Sequence, residues 1–221
     1  MVDTNISTTD NRQRTYSGIS LQERAMQRRR RFIEAGIELF GSLGYHATTV
    51  RKLVAVSGLT NRYFYASFDS MEDLLIACYE QLMREFRRRL QAALTDTNQS
   101  SEYKIVQGLS CFFDAMRDPP FAKITHTEVL GISQRVDATY SRQSASFALL
   151  LMGYVQDMDT LSITETEKQF IGSALVGAVT HAAMVWVRNE YNQPIEQVVK
   201  ATSVIFLGTL AQLVSDQDRH S

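Results

Sequence analysis

Asn61, Arg62, Tyr63 and Tyr65 gather hydrogen-bonding and stacking groups directly behind Gly58-Leu59-Thr60. An amide, a guanidinium and two phenols are groups that pair with base edges and phosphates, and a single short helix could present them together to a major groove. Such a helix needs a second one braced against it. Thr49 to Ser57 supplies that partner, with Val50, Leu53 and Val54 facing inward. Gly58 makes the tight turn, Leu59 plugs the space between the helices, and the Thr60 hydroxyl is expected to cap the second helix. The pattern is a helix-turn-helix.

Four linked segments extend this reading. Ala35-Gly36-Ile37-Glu38-Leu39-Phe40, Gly44-Tyr45-His46-Ala47-Thr48-Thr49-Val50, Gly58 to Phe68 and Glu72-Asp73-Leu74-Leu75 follow in order. Together they resemble the N-terminal domain of the TetR family of transcriptional regulators, over about residues 21 to 80. Beyond residue 80 no motif is shared. The resemblance implies that the Tyr65 hydroxyl meets the DNA backbone, although its ring serves equally as core packing with a wet tip. It places Thr48 and Thr49 where hydroxyls and amides hold a phosphate, a position that helix capping explains as well. Tyr63 is expected at the backbone or a thymine methyl.

Two positions depart from the family pattern. Arg62 stands where most relatives carry a small residue. A cation in the first turn of a helix opposes its macrodipole at about 0.3–1 kcal/mol, so a DNA contact is the better account of it than a structural role. Met71 stands where many relatives have a phosphate-binding lysine. Methionine cannot make that contact, so it is absent or is replaced by Arg62 and the basic start of the chain.

That start comprises Arg12 and Arg14, in a polar arm over residues 1–19, then Arg24 and the run Arg28 to Arg31. It is either a solvated charged face or an arm and helix end that neutralise phosphates, with the arm in the minor groove. Charge is divided unevenly along the chain. Residues 1–70 hold 10 Lys or Arg against 6 Asp or Glu, a net of +4, whereas residues 71–221 hold 13 against 18, a net of −5. A basic head on an acidic body follows, hidden by a net charge of −1.

The apolar spacing is helical throughout and nowhere alternates long enough for a sheet, so the fold class is all-α. The expected organisation is an arm at 1–19, a helix-turn-helix domain at 20–69, a larger helical body at 70–214 and a tail at 215–221. Helix one spans about Ser20 to Ser42 and ends at Gly41 and Gly44; Ser70 opens a long fourth helix that joins head to body. Body helices are expected at about Glu102 to Arg117, stopped by Pro119-Pro120, then Phe121 to Ile132, Val136 to Met158, Thr164 to Tyr191 with a capping box at Thr164 and Glu167, and Pro194 to Val214. Ile171 to Val187 carries no formal charge but is shorter than the roughly 20 residues a bilayer requires, so it reads as a helix buried on most faces.

In the TetR family the last two long helices pair with their copies in a second subunit. By order and length, Val176, Val179, Val198, Ile205 and Leu210 are the candidate dimer contacts. The resemblance also implies a small-molecule effector held in the body. Phe112, Met116, Phe121, Tyr140, Phe147, Met152, Met184 and Trp186 are the candidate lining, with plain core as the alternative.

Catalysis finds no support in the spacing. His46, His126, His181 and His220 form no metal-binding pattern, His126 and His181 read as core histidines, and no glycine-rich phosphate loop exists. No catalytic residue, metal or cofactor is expected. Cys78 and Cys111 lie in apolar helical patterns as free thiols, and no signal peptide opens the chain, so the cytoplasm is the expected compartment. The expectation is a homodimeric repressor released by a small apolar or amphipathic ligand from a palindromic operator, its two reading helices about 34 Å apart. The alternatives are a constitutive DNA-binding regulator without an effector, or an all-helical enzyme or lipid carrier.

Overall fold

The computed structural model describes residues 20–94, 99–153 and 163–218. The arm with Arg12 and Arg14, the expected helix end at Met158, and residues 219–221 lie outside the described residues. The chain is all-α, with no strand among the described residues. Its elements are α1 Leu21–Ser42, α2 Val50–Ser57, α3 Asn61–Tyr65, α4 Met71–Ala93, α5 Ser101–Ala115, α6 Pro119–Lys123, a π-turn Ile124–Glu128, α7 Gln134–Gly153, α8 Glu165–Arg188 and α9 Ile195–Asp218.

Side-chain caps set several starts. Ser20 Oγ accepts the Glu23 N–H at 3.1 Å while Glu23 reaches back to the Ser20 N–H, and Thr164 and Glu167 repeat this capping box at α8. Ser70 Oγ accepts the Asp73 N–H at 3.1 Å and opens α4. Two punctuation residues behave differently from expectation. Gly41 does not end α1; it lies inside it because a Cβ there would come within 2.8 Å of the Pro120 backbone. Pro119 and Pro120 do not merely stop α5 but begin α6, where a missing N–H costs nothing. The last helix also runs past Val214, to Asp218.

The head core packs Phe32, Phe40, Leu53, Phe64, Leu74, Leu75 and Cys78 out of solvent. Phe64 and Phe68 stand edge-on to Phe32, at 5.5 and 6.5 Å between ring centres. Phe64 is the buried anchor of α3, a single-turn helix too short to persist alone, and truncating it to alanine would cost about 3–5 kcal/mol. This core does not stop at residue 69. It takes in the first turns of α4, together with Ile124 and Val129 of the π-turn region and Val136 of α7.

The body packs α4 to α9 around Phe86, Phe113, Met116, Phe147, Trp186 and Phe206. Trp186 donates its Nε1–H to the Gln193 carbonyl at 2.9 Å and meets Tyr191 edge-on at 5.0 Å. Tyr191 holds a left-handed φ of 56° there, fixed further by its hydroxyl donating to the Met116 carbonyl. Helix α8 is not buried on most faces. Its buried residues Gly172, Leu175, Val179, Ala183 and Trp186 form one stripe, and His181 is exposed rather than a core histidine. By length and hydropathy alone, α8 is the one described helix long and apolar enough to cross a membrane.

Candidate nucleic-acid interface and internal cavity

Helix α3 turns every candidate contact outward. Thr60, Asn61, Arg62, Tyr63 and Tyr65 are all exposed, Tyr65, at 63%, more so than Tyr63. Arg62 has no intramolecular partner among the described residues. The Thr60 hydroxyl makes no cap bond, contrary to expectation, so the helix start is held by its backbone alone. Helix α3 is also too brief for distinct first and last turns. The dipole argument for Arg62 therefore weakens, and its exposure and freedom from partners become the stronger observation.

The two threonines that precede α2 divide. Thr49 is exposed, and its Oγ1 accepts the Lys52 N–H at 3.4 Å. Thr48 is buried with its hydroxyl donating to the Gly44 carbonyl at 2.8 Å, so this side chain holds the turn and is not presented to a phosphate. Met71 packs against the head core, where a lysine ammonium would have to be solvated.

The α1 arginines separate by role as well. Arg31 Nη2 donates to the Ser57 carbonyl at 2.5 Å and Arg29 Nη1 to the Ser67 carbonyl at 2.6 Å, fastening α1 to the ends of α2 and α3. Arg28 lies 4.6 Å over the Tyr63 ring and sets its orientation. Arg51 and Lys52 add exposed cations on α2. Sequence reasoning passed over both, because they lie outside the arginine run.

Inside the body, α4, α5, α6, the π-turn, α7, α8 and α9 surround a cavity that leaves about 110 Å³ open to the centre of a water molecule. Of the expected lining, Phe112, Phe121, Tyr140, Phe147 and Met152 face it. Met116 is core, Trp186 packs on Phe113 at 5.7 Å, and Met184 is packed elsewhere in the body. Missing from the expectation are Tyr79, Phe86, Lys104 and His126. Tyr79 and Phe86 belong to α4, the helix that links head and body. Phe86 is the hub, with Phe147 stacked at 5.3 Å, Phe121 at 5.6 Å and Phe112 at 5.8 Å. Along α4 the lining runs from Tyr79 to Leu94, about 22 Å at 1.5 Å per residue.

The candidate dimer contacts also divide. Val176, Val179 and Leu210 turn inward to line the cavity, Val198 is partly buried, and Ile205 is 47% exposed. Uncovered instead are Phe170, Ala174, Gly177 and Val185 on α8 and Ala201, Val204, Ile205 and Gly208 on α9. Their positions share one face on each helix. Among the described residues no cluster of His, Cys, Asp or Glu is arranged to hold a metal.

Comparison with known proteins agrees with this geometry. Residues 32–78 match the family of bacterial regulatory proteins, tetR family. The fatty acid metabolism regulator protein of Bacillus subtilis (strain 168) is 23% identical over 190 residues, covering 79% of this chain and 90% of the relative. The crystal structure of the transcriptional regulator FadR from Bacillus subtilis, in complex with stearoyl-CoA, shares the fold at a TM-score of 0.69 and 18% identity, covering 80% of this chain and 96% of that one. The fatty acid degradation regulator FadR from Bacillus halodurans does so at 0.68 and 17%, covering 80% and 94%. The head of this chain thus matches the tetR family of bacterial regulatory proteins, and its all-helical, cavity-bearing body shares the fold of these regulators.

Proposed function

We propose that the protein is a homodimeric repressor in the cytoplasm, not an enzyme, and that a long-chain fatty-acyl ligand releases it from a palindromic operator. The observation that carries this reading is the long apolar cavity of the body. Its lining residues on α4, Tyr79 to Leu94, are spread along about 22 Å of helix, a length comparable to that of a stearoyl chain. The ligand of the Bacillus subtilis relative is of this class. Exposed Asn61, Arg62, Tyr63 and Tyr65 would read base edges and phosphates, Thr49 and Thr60 would flank them, and Arg12 and Arg14 would follow the backbone. A constitutive regulator would have no use for such a cavity. The alternative of an enzyme or carrier gives no reason for the outward-facing α3.

A ligand shifts DNA affinity only if it prefers one arrangement of the head over another. Helix α4 reaches from the head core to the cavity wall, so filling the cavity bears on the angle of the head. The test is operator binding with and without stearoyl-CoA. A fall in affinity on adding it supports the reading, and unchanged affinity at saturating ligand refutes it.

A further inference from the structure

The cavity wall is apolar except for a few groups, and one of them is placed to choose among acyl chains. His126 lies in the π-turn, its ring edge-on to Phe112 at 5.8 Å and tilted to Phe121 at 6.2 Å, both of which line the cavity. Its Nδ1 is 2.5 Å from Thr125 Oγ1. The Thr125 hydroxyl has one proton and gives it to the Phe121 carbonyl at 2.7 Å. The ring must therefore supply the proton in the Nδ1 contact, as an N–H donating to the Thr125 oxygen. Burial pulls the imidazole pKa down to about 4, so the ring is neutral at physiological pH. A neutral ring with its proton on Nδ1 has a bare lone pair on Nε2. Among the described residues no protein group takes that lone pair; the Ala122 carbonyl also accepts from the ring, and His126 lines the cavity.

An unbranched saturated chain offers nothing to this acceptor. Threaded past His126, it would displace water from Nε2 and leave the lone pair buried and unmatched, an unfavourable exchange. A hydroxyl on the chain answers it by donating to Nε2. The same hydroxyl can accept in turn from Tyr140 or Ser144, one helical turn apart on α7 and both in the cavity lining. We propose that His126 makes the cavity selective for a long acyl chain carrying a hydroxyl group, an inference that rests on the acyl-ligand reading and narrows it. A site built to hydrogen-bond a ligand hydroxyl rejects the ligand lacking it more strongly than an apolar site rejects an extra hydroxyl.

The test measures binding of stearoyl-CoA and of its positional hydroxystearoyl-CoA isomers to the full-length protein, to His126→Leu and to His126→Gln, by calorimetry near pH 7.5. In the wild type at least one hydroxy isomer should bind about tenfold more tightly than stearoyl-CoA. His126→Leu should lose or reverse that preference, chiefly by binding stearoyl-CoA better. His126→Gln restores a hydrogen-bonding group near the Nε2 position and should keep part of the preference, which separates recognition from any damage to the fold. Equal preference in wild type and His126→Leu, or no hydroxy isomer above stearoyl-CoA, overturns the inference while leaving the acyl reading intact. No binding of any of these thioesters overturns both.

Discussion

Glu128 accepts the backbone N–H of Tyr45 through Oε2 at 2.6 Å, tying the end of the π-turn to the loop between α1 and α2. Lys123 Nζ adds a bond to the Ser42 carbonyl at 3.1 Å, and Pro120 presses on Gly41. On the same short segment, Phe121, Thr125 and His126 line the cavity. One stretch of chain thus touches both the ligand space and the loop that leads into the helix-turn-helix. Glu128→Ala should lower stability by about 1–3 kcal/mol, because a charge-assisted bond is lost and the Tyr45 N–H is left without its partner. The ratio of operator affinities without and with stearoyl-CoA should shrink toward one. An unchanged ratio would assign the coupling to α4 alone.

Arg62→Ala should leave thermal stability unchanged, since Arg62 is exposed and has no partner to lose among the described residues. Specific DNA affinity should fall by roughly 1–3 kcal/mol if the contact is bidentate to guanine, with preference relaxed at one base pair per half-site. Binding to an operator library at one fixed salt concentration measures this. A uniform loss over all sequences would move Arg62 to the phosphate backbone, and no loss would remove it from the interface.

The head was legible because its signals are local. Gly58 at φ 64°, the Ser70 cap and the apolar spacing of Phe32, Leu53 and Phe64 each depend on a few neighbouring residues. The misreadings arise where distant segments meet. Thr48 is the local exception, its hydroxyl turned to the Gly44 carbonyl within its own loop. Gly41 faces Pro120, and Val179 faces the cavity while Val204 faces out; helical spacing alone could not say which apolar stripe of α8 or α9 met the body. The cavity lining was half visible for the same reason. Aromatic residues on α5 and α7 suggested it, but nothing local in α4 distinguishes Tyr79 and Phe86 from core.

The bare faces of α8 and α9 bear on assembly. Ala174, Gly177, Ala201 and Gly208 are small, and a Cβ at either glycine would meet nothing within 4 Å, so a second copy could approach closely there. Val204→Asp, at a side chain 65% exposed, should leave the monomer folded and dissociate the dimer. Light scattering at micromolar concentration checks it, and operator binding should fail along with dimerisation because each subunit alone contacts half a site. A wild-type monomer in that experiment would overturn the assembly.

His126 gives the fold a pH dependence of definite sign. Burial lowers its pKa from 6.5 to about 4, so between those values the unfolded chain binds a proton that the folded chain refuses. Stability therefore rises with pH across this window. The contribution is complete above about pH 6.5 and is lost progressively as pH falls toward 4. Going from pH 7.5 to 5.5 should cost roughly 1 kcal/mol, a fall of about 2–4 °C in Tm for a chain of this size. The carboxylates of Glu23, Asp73, Glu85 and Glu167 are held below their ordinary values by hydrogen bonds, from Arg135 above all at Asp73, and lose their stabilising effect only at lower pH. His126→Gln cannot titrate, so its Tm should change less than that of the wild type over the same interval. Parallel curves for the two proteins would mean that His126 takes its proton as readily folded as unfolded, and that the imidazole is not enclosed between Phe112 and Phe121.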